Sequence, residues 1–379
     1  MESEKLQPKE KVILDERGML DLPFLILTVL LVAIGVIMMF SASYARAYSE
    51  TGNSTAYFAR QGGFALAGIA IMWVVSRLNY QIWRALSVPI MAGAVLLLIL
   101  VPLIGREEGG ATRWIVLFGI NFQPSEIAKL AVVLCFAAMI SVYRDRMQTF
   151  RYGVLPFVAI LAVIAGLLIL EPHLSATLII LATGAAMMFL GGTKPKWFVA
   201  GGVVLVLAFL IYLKTMGYAS ARITAWRDPF SDPSDNGYQI VQSLYAIGSG
   251  GMMGLGLGKS RQKYLYLPEE HNDYVFSIVC EELGFVGAAL IILLFVLLIV
   301  RGYWIAMHAR DRFGALVAAG LTTLLLLQVF LNIGVVTNFL PATGISLPFF
   351  SYGGTALLIQ LAEMGIVLNI SRSNKRNLI

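Results

Sequence analysis

The chain has 379 residues, 58% of them hydrophobic and only 13% charged, with a mean hydropathy of +0.79. Soluble domains carry about a quarter charged residues, so this composition excludes one and indicates an all-α polytopic membrane protein. The net charge of +6 comes from single basic residues scattered between apolar runs, with no basic stripe interleaved with aromatics, which speaks to membrane topology and not to nucleic acid.

The first twenty residues are charged and end in "DERGMLDLP", too long and too acidic for a signal-peptide n-region, so an uncleaved first helix is expected after them. Ten apolar runs of about spanning length are then predicted: 22–42, 62–76, 87–104, 126–142, 153–170, 175–191, 198–213, 274–300, 314–336 and 354–370. The fifth and sixth are joined only by "EPHLS", which predicts an antiparallel hairpin. With the N-terminus inside, 17 of the 28 basic residues fall in cytoplasmic segments, so both ends are expected inside. The expected protein is therefore a ten-helix, N-in/C-in transmembrane domain over 22–371. It carries cytoplasmic tails at 1–21 and 372–379 and one large extracytoplasmic loop at 214–273. Cys135 and Cys280 lie inside apolar runs and give no disulfide framework, and the three histidines make no metal motif by spacing.

Three outer segments stand apart. Residues 105–125 enclose "WIVLFGI", too short to span and expected as a strand or helix at the interface. The glycine-rich "GSGGMMGLGLG" in the large loop has no flanking strand and predicts a hinge or close-packed turn. Residues 337–353, "TNFLPATGISLPFFSYG", hold two prolines between the last two runs and predict a loop folded into the bundle. Irregular backbone is tolerated at membrane depth only where protein or a water-filled cavity satisfies it.

The candidate chemistry lies on the same outer side. Glu126 and Lys129 in "QPSEIAKL" are three apart, on one helix face and able to pair. They read either as a structural ion pair or as a cation held for an anionic group. Arg113, just upstream, is a second cation suited to phosphate. "LPEEHNDYVFSIVCEELGFVG" holds Glu269, Glu270, Asp273, Glu281 and Glu282 at the head of an apolar run. A charge at mid-bilayer costs about 2.5–3.5 kcal/mol, so such groups usually face a polar interior. Asp273 reads either as the N-cap of the eighth span or as a general base at the water–lipid boundary. One of Glu281 and Glu282, some two turns deeper, is expected to support a polar cavity from below, while Glu363 in the tenth run has no identifiable partner.

Taken in order, "RWI", "QPSEIAKL", "DP…GYQIVQSLYAIGSGG", "LPEEHNDYVFSIVCEELGFVG" and "NIGVVTNFLPATGISLPFFSYGG" resemble the signature blocks of the SEDS family, closer to its FtsW and SpoVE members than to RodA. The resemblance implies a peptidoglycan glycosyltransferase, an inverting hexosyltransferase that polymerises lipid II at the outer face of the cytoplasmic membrane. The family's essential acidic residue maps to Asp273, its Glu and Lys to Glu126 and Lys129, and its Arg-Trp to Arg113 and Trp114. Asp273 would take the proton of the acceptor hydroxyl, and Arg113 and Lys129 would stabilise the departing pyrophosphate. Further substrate contacts are expected from Gln123, Ser125, Arg222, His271, Glu282 and Ser351. A divalent cation (Mg or Mn) on the pyrophosphate suits this chemistry, with no ligands identifiable in the sequence. The implied partners are a class B penicillin-binding transpeptidase and other divisome, elongasome or sporulation wall-synthesis proteins. "EPHLSAT" departs from the commoner "QPDLGT", placing His173 and Ser175 where Asp and Gly often stand. The alternatives are a lipid II flippase using the same polar residues, or a scaffold for the transpeptidase. Because the ionisable residues cluster in the outer half, the enzyme is favoured over a flippase.

Overall fold

The computed structural model describes residues 18–108, 111–117, 120–215, 224–233 and 237–373. Its main helices are α1 (Leu22–Thr51), α2 (Ala56–Val75), α3 (Gln81–Ile104), α4 (Pro124–Tyr143), a single turn α5 (Phe150–Gly153), α6 (Leu155–Leu170), α7 (Leu174–Leu190) and α8 (Pro195–Thr215). They are followed by α9 (Tyr238–Gly250), α10 (Val275–Met307), α11 (Arg312–Val336) and α12 (Gly354–Arg372). Local chemistry sets several starts. Asp21 accepts from the Phe24 amide at 3.0 Å to cap α1, and Asp311 accepts from Gly314 at 2.9 Å to cap α11.

Each of the ten predicted apolar runs lies within or overlaps one of these helices, and among the described residues eight segments are long and apolar enough to cross a membrane. α7 is apolar but only 17 residues long. The protein is thus an α-helical, multi-pass membrane protein. Burial separates a centre from a rim. Two-thirds or more of the apolar window is buried in α4 (67%), α11 (72%) and α12 (67%), against 28% in α2 and α3. The rim helices expose Leu66, Val74, Val88 and Leu103, as a lipid-facing surface should. The Gly18 amide donates to the Arg372 carbonyl at 3.0 Å, so the two described ends leave the bundle together.

Between α3 and α4 lies a small antiparallel sheet, β1 (Arg106–Glu108), β2 (Ala111–Leu117) and β3 (Ile120–Phe122), in the order β1-β2-β3. The described part of the short apolar stretch "WIVLFGI" is therefore strand, residues 114–117 in β2 and Ile120 in β3. Residues 337–353 form no regular element, yet Ile345, Leu347, Phe349 and Phe350 are buried, so this loop does fold into the bundle.

α10 is broken. Gly284 sits at φ 67° and ψ −171°, a left-handed conformation that interrupts the helix nine residues from its start. The glycine-rich turn crosses this break and satisfies the backbone groups it orphans. Leu255 and Gly256 donate to the carbonyls of Glu281 and Glu282, both at 2.9 Å, while Phe285 and Val286 donate to Gly251 and Met252 at 2.9 and 3.1 Å. The turn is close-packed against the helix, because a Cβ at Gly254 would stand 2.2 Å from the Glu282 carbonyl oxygen.

The two carboxylates at this break correct the sequence expectation. Glu282 accepts from Ser41 Oγ (2.7 Å), Lys263 Nζ (3.1 Å) and the amides of Gly258 (2.9 Å) and Ser260 (3.1 Å). Glu281 accepts from Ser260 Oγ and from the amides of Arg261 (2.9 Å) and Gln262 (3.4 Å). Neither supports the candidate cavity. Both anchor residues 258–263 to the broken helix, and the substrate contact expected of Glu282 is withdrawn because its oxygens are taken.

Candidate active site

A cavity of about 710 Å³ opens at one end of the bundle, among the ends of α1, α4, α7, α10 and α12, the strand β2 and the loop 342–353. β2 brings Arg113 and Trp114 to its wall, and Gln123 lines it just before Pro124 starts α4. One turn into α4, Glu126 and Lys129 both face the cavity and pair at 2.7 Å, their side chains 9% and 5% exposed. A carboxylate in the first turn also suits the positive end of the helix. Arg113 reaches over to the α6–α7 turn, its Nη2 donating to the Pro172 carbonyl at 2.5 Å. Gln360 lines the cavity from α12, and Glu363, one turn further along that face, is buried within electrostatic reach of Lys129 and Glu126. The sequence offered no partner for Glu363. The fold sets it near the Glu126–Lys129 pair.

Asp273 lines the other side, half-buried, in the turn leading into α10. It is not the helix cap: Tyr274 occupies that position. The turn is held from several directions. Asn332 Nδ2 donates to the Asp273 carbonyl at 2.8 Å, Ser351 Oγ donates to the Asn272 carbonyl at 2.7 Å, and the Tyr352 amide donates to the His271 carbonyl at 2.8 Å. The His271 ring stacks on Tyr57 with centroids 5.4 Å apart. Next to it, the fully buried Glu270 accepts two bonds from Arg46, at 2.8 and 2.9 Å. Burial, reinforced by Arg46, pushes the His271 imidazole down to about 4, so it stands neutral at physiological pH.

The α6–α7 turn, read in the sequence only as a departure from the family pattern, contributes unexpected groups. His173 lines the cavity with Nε2 3.4 Å from Gln123 Nε2, and burial together with Arg113 and Lys129 pushes it down to about 3. Glu171 is buried with neither oxygen hydrogen-bonded, and burial pushes its carboxyl up to about 8 against the pull of Arg113. Ser175 Oγ donates to the Thr343 carbonyl and so ties this turn to the loop across from it. Buried polar atoms without a hydrogen-bond partner gather around this cavity, among them His173 Nδ1, His271 Nδ1 and Thr343 Oγ1. Buried polar groups are ordinarily satisfied, so such a wall suits a polar ligand.

Of the residues singled out in the sequence, Arg113, Trp114, Gln123, Glu126, Lys129, His271, Asp273 and Ser351 line one cavity. Ser125 does not: it is buried behind the wall. Glu282 lies in the separate cluster at the helix break, and Arg222 lies outside the described residues. Sequence reasoning missed Arg46, Gln328 and Gln360 as lining residues; the two glutamines carried a signal, as amides inside apolar runs. Among the described residues, no group of three or more His, Cys, Asp or Glu side chains is placed to hold a metal ion. A smaller cavity of about 280 Å³, lined by Tyr80, Arg310, Asp311 and Arg372, lies at the opposite end of the bundle.

Residues 22–376 match the family of FtsW, RodA and SpoVE, described as cell cycle proteins. The chain is 40% identical over 368 residues to the probable peptidoglycan glycosyltransferase FtsW of Geobacter metallireducens, covering 96% of this chain and 98% of that one. It is 39% identical over 357 residues to stage V sporulation protein E of Bacillus subtilis, covering 94% and 98%. Among solved structures, it superposes with a TM-score of 0.79 and 28% identity on a chain of a peptidoglycan synthase complex that coordinates polymerization and crosslinking, covering 93% and 98%. On the rod shape determining protein RodA of Thermus thermophilus the TM-score is 0.70 at 28% identity, covering 94% and 98%. The ordered blocks, the helical bundle and the shared coverage agree, and the chain belongs to the FtsW/RodA/SpoVE family.

Proposed function

We propose that this protein is a peptidoglycan glycosyltransferase that polymerises lipid II into glycan strands at the outer face of the cytoplasmic membrane. The observation that carries the proposal is a single outer-end cavity that sets a carboxylate, Asp273, across from two cations, Arg113 and Lys129. Its orientation follows from the basic residues, which put the cavity end of a ten-span, N-in/C-in bundle outside, with the domain at 22–371 between cytoplasmic tails. Relatives named peptidoglycan glycosyltransferase support the reaction class, and a structural neighbour drawn from a peptidoglycan synthase complex supports a penicillin-binding transpeptidase as partner.

The chemistry divides between the two sides. Asp273 takes the proton of the acceptor sugar hydroxyl as that oxygen attacks the anomeric carbon of the donor. The bond from that carbon to the pyrophosphate oxygen breaks, and the charge appearing there is met by Lys129 and by the fork of Arg113. Glu126 fixes the ammonium of Lys129 at 2.7 Å, and neutral His173 adds a hydrogen-bonding group without adding charge. A direct displacement inverts the carbon and needs no carboxylate nucleophile, so one catalytic carboxylate suffices.

The test is polymerisation of labelled lipid II by the purified protein with its transpeptidase partner, comparing wild type with Asp273→Asn. Polymer from wild type and none from the variant is expected. Equal polymer from both, or none from either while lipid flipping persists in vesicles, would sink the enzymatic reading.

A further inference from the structure

Asn332 stands near the outer end of α11, only 1% exposed. Its side-chain amide carries two hydrogens, and both are spent on different segments: one on the Asp273 carbonyl at 2.8 Å, the other on the Ile345 carbonyl at 2.6 Å. Two carbonyl acceptors demand the NH₂ side of the amide, so no residue lacking that group reproduces both bonds. The Asn332 Oδ1 meanwhile has no hydrogen-bond partner. A buried acceptor left unmade is costly, commonly about 1–3 kcal/mol, and its retention indicates that the bridge matters more than local satisfaction.

The bridged segments meet at the carboxylate itself. Gly344, the residue before Ile345, has φ +68°, and a Cβ there would stand 3.0 Å from Asp273 Oδ2. The loop backbone thus lies directly against the acid, in a conformation and a space that both call for glycine. A second staple runs in parallel. Ser351 Oγ donates to the Asn272 carbonyl and accepts from the Leu347 amide, each at 2.7 Å. Two adjacent carbonyls of the Asp273 turn are therefore fastened to one loop by two side chains.

We propose that Asn332 is a positioning residue for Asp273: its amide clamps the turn bearing the acid to the loop 342–346, and Gly344 seats that loop against the carboxylate. This rests on Asp273 acting as the base. A base must sit within hydrogen-bond reach of the proton it removes, and a displacement of about 1 Å is enough to cost 10²-fold. Asn332 touches no reacting atom. It acts through Asp273 alone.

The test uses the full-length protein with its partner, steady-state lipid II polymerisation and thermal melting of each variant. Asn332→Ala is expected to lower kcat about 10- to 100-fold. KM for lipid II should stay within about twofold, because substrate binding does not run through this residue. Gly344→Ala, which keeps both amide bonds but intrudes on the carboxylate, should give the same split and serves where Asn332→Ala does not fold. In an Asp273→Glu background, whose acid is already misplaced, adding Asn332→Ala should cost less than about twofold more. The inference is overturned if both single variants keep wild-type kcat, if KM rises together with kcat loss, or if the losses multiply in the double variant. It would then be a residue of the fold only. An Asp273→Asn protein as active as wild type would instead remove the base assignment and leave these outcomes interpretable as a separate failure.

Discussion

Two acidic clusters sit near the start of α10, one in the turn before it and one at its break, and they are built in opposite ways. At the helix break, the buried Glu281 and Glu282 accept from amides, hydroxyls and the buried ammonium of Lys263. Around Asp273, some two turns earlier in the chain, polar residues line a cavity and several buried polar atoms nearby lack partners, those of His173, His271 and Thr343 among them. The same residue types in one segment of sequence therefore serve two ends. A carboxylate buried among donors of its own chain closes a structure; one that lines a cavity, on a turn held by its backbone, is placed where chemistry can reach it.

The comparison breaks most visibly at Asp273. Asp273→Asn is expected to reduce polymerisation by about 10²–10⁴-fold, with an unchanged melting temperature. A variant that melts early while polymerising at the wild-type rate would place Asp273 with the structural pair. The opposite behaviour is expected of Glu282→Gln. It strips the counter-charge from buried Lys263, a loss of about 3–5 kcal/mol in stability, read as a lower melting temperature. The fraction that folds should retain its specific activity, and a slow but stable Glu282→Gln protein would join that cluster to the reaction.

The smallest effect tests the unsatisfied side by pH. Glu171 is raised from its ordinary 4.5 to about 8 by burial. Between those values the folded protein keeps a proton that the unfolded chain releases. Its contribution to stability is therefore full below 4.5 and is lost as pH rises through 8. The melting temperature of wild type should fall from pH 5 to pH 8.5 more steeply than that of Glu171→Gln, and parallel slopes would show that Glu171 is solvated or paired.

Much of this architecture was legible because the bilayer simplifies the code. Apolar length alone located the helices, and a spacing of three sufficed for the Glu126–Lys129 pair, since helix geometry fixes which residues meet. What local sequence could not supply was the partner across space. Asp273 looked like a cap because Asp is a favoured one, but the backbone turns one residue later and Tyr274 takes that position. Glu282 looked like a cavity residue because its depth could be counted, whereas the break at Gly284 and the turn that crosses it depend on residues 251–263 folding back. Glu171 was visible only as part of a hairpin turn and His173 only as a departure from a pattern; both are buried, and the charge that acts on them comes from Arg113, some sixty positions away. Asn332 gave no signal beyond being one of two amides, with Gln328, in an apolar helix.

The break in α10 also resets rotational phase. In an unbroken helix, inserting one residue in the membrane-spanning part would turn everything beyond it by about 100° and swing the Asp273 turn away from the cavity. Here residues 275–283 are tied to the crossing turn at 251–256, which also holds Phe285 and Val286 just past the break. The turn is thus a collar that registers the two halves of the helix to each other, and the bearing of the acid depends on the collar as much as on the helix.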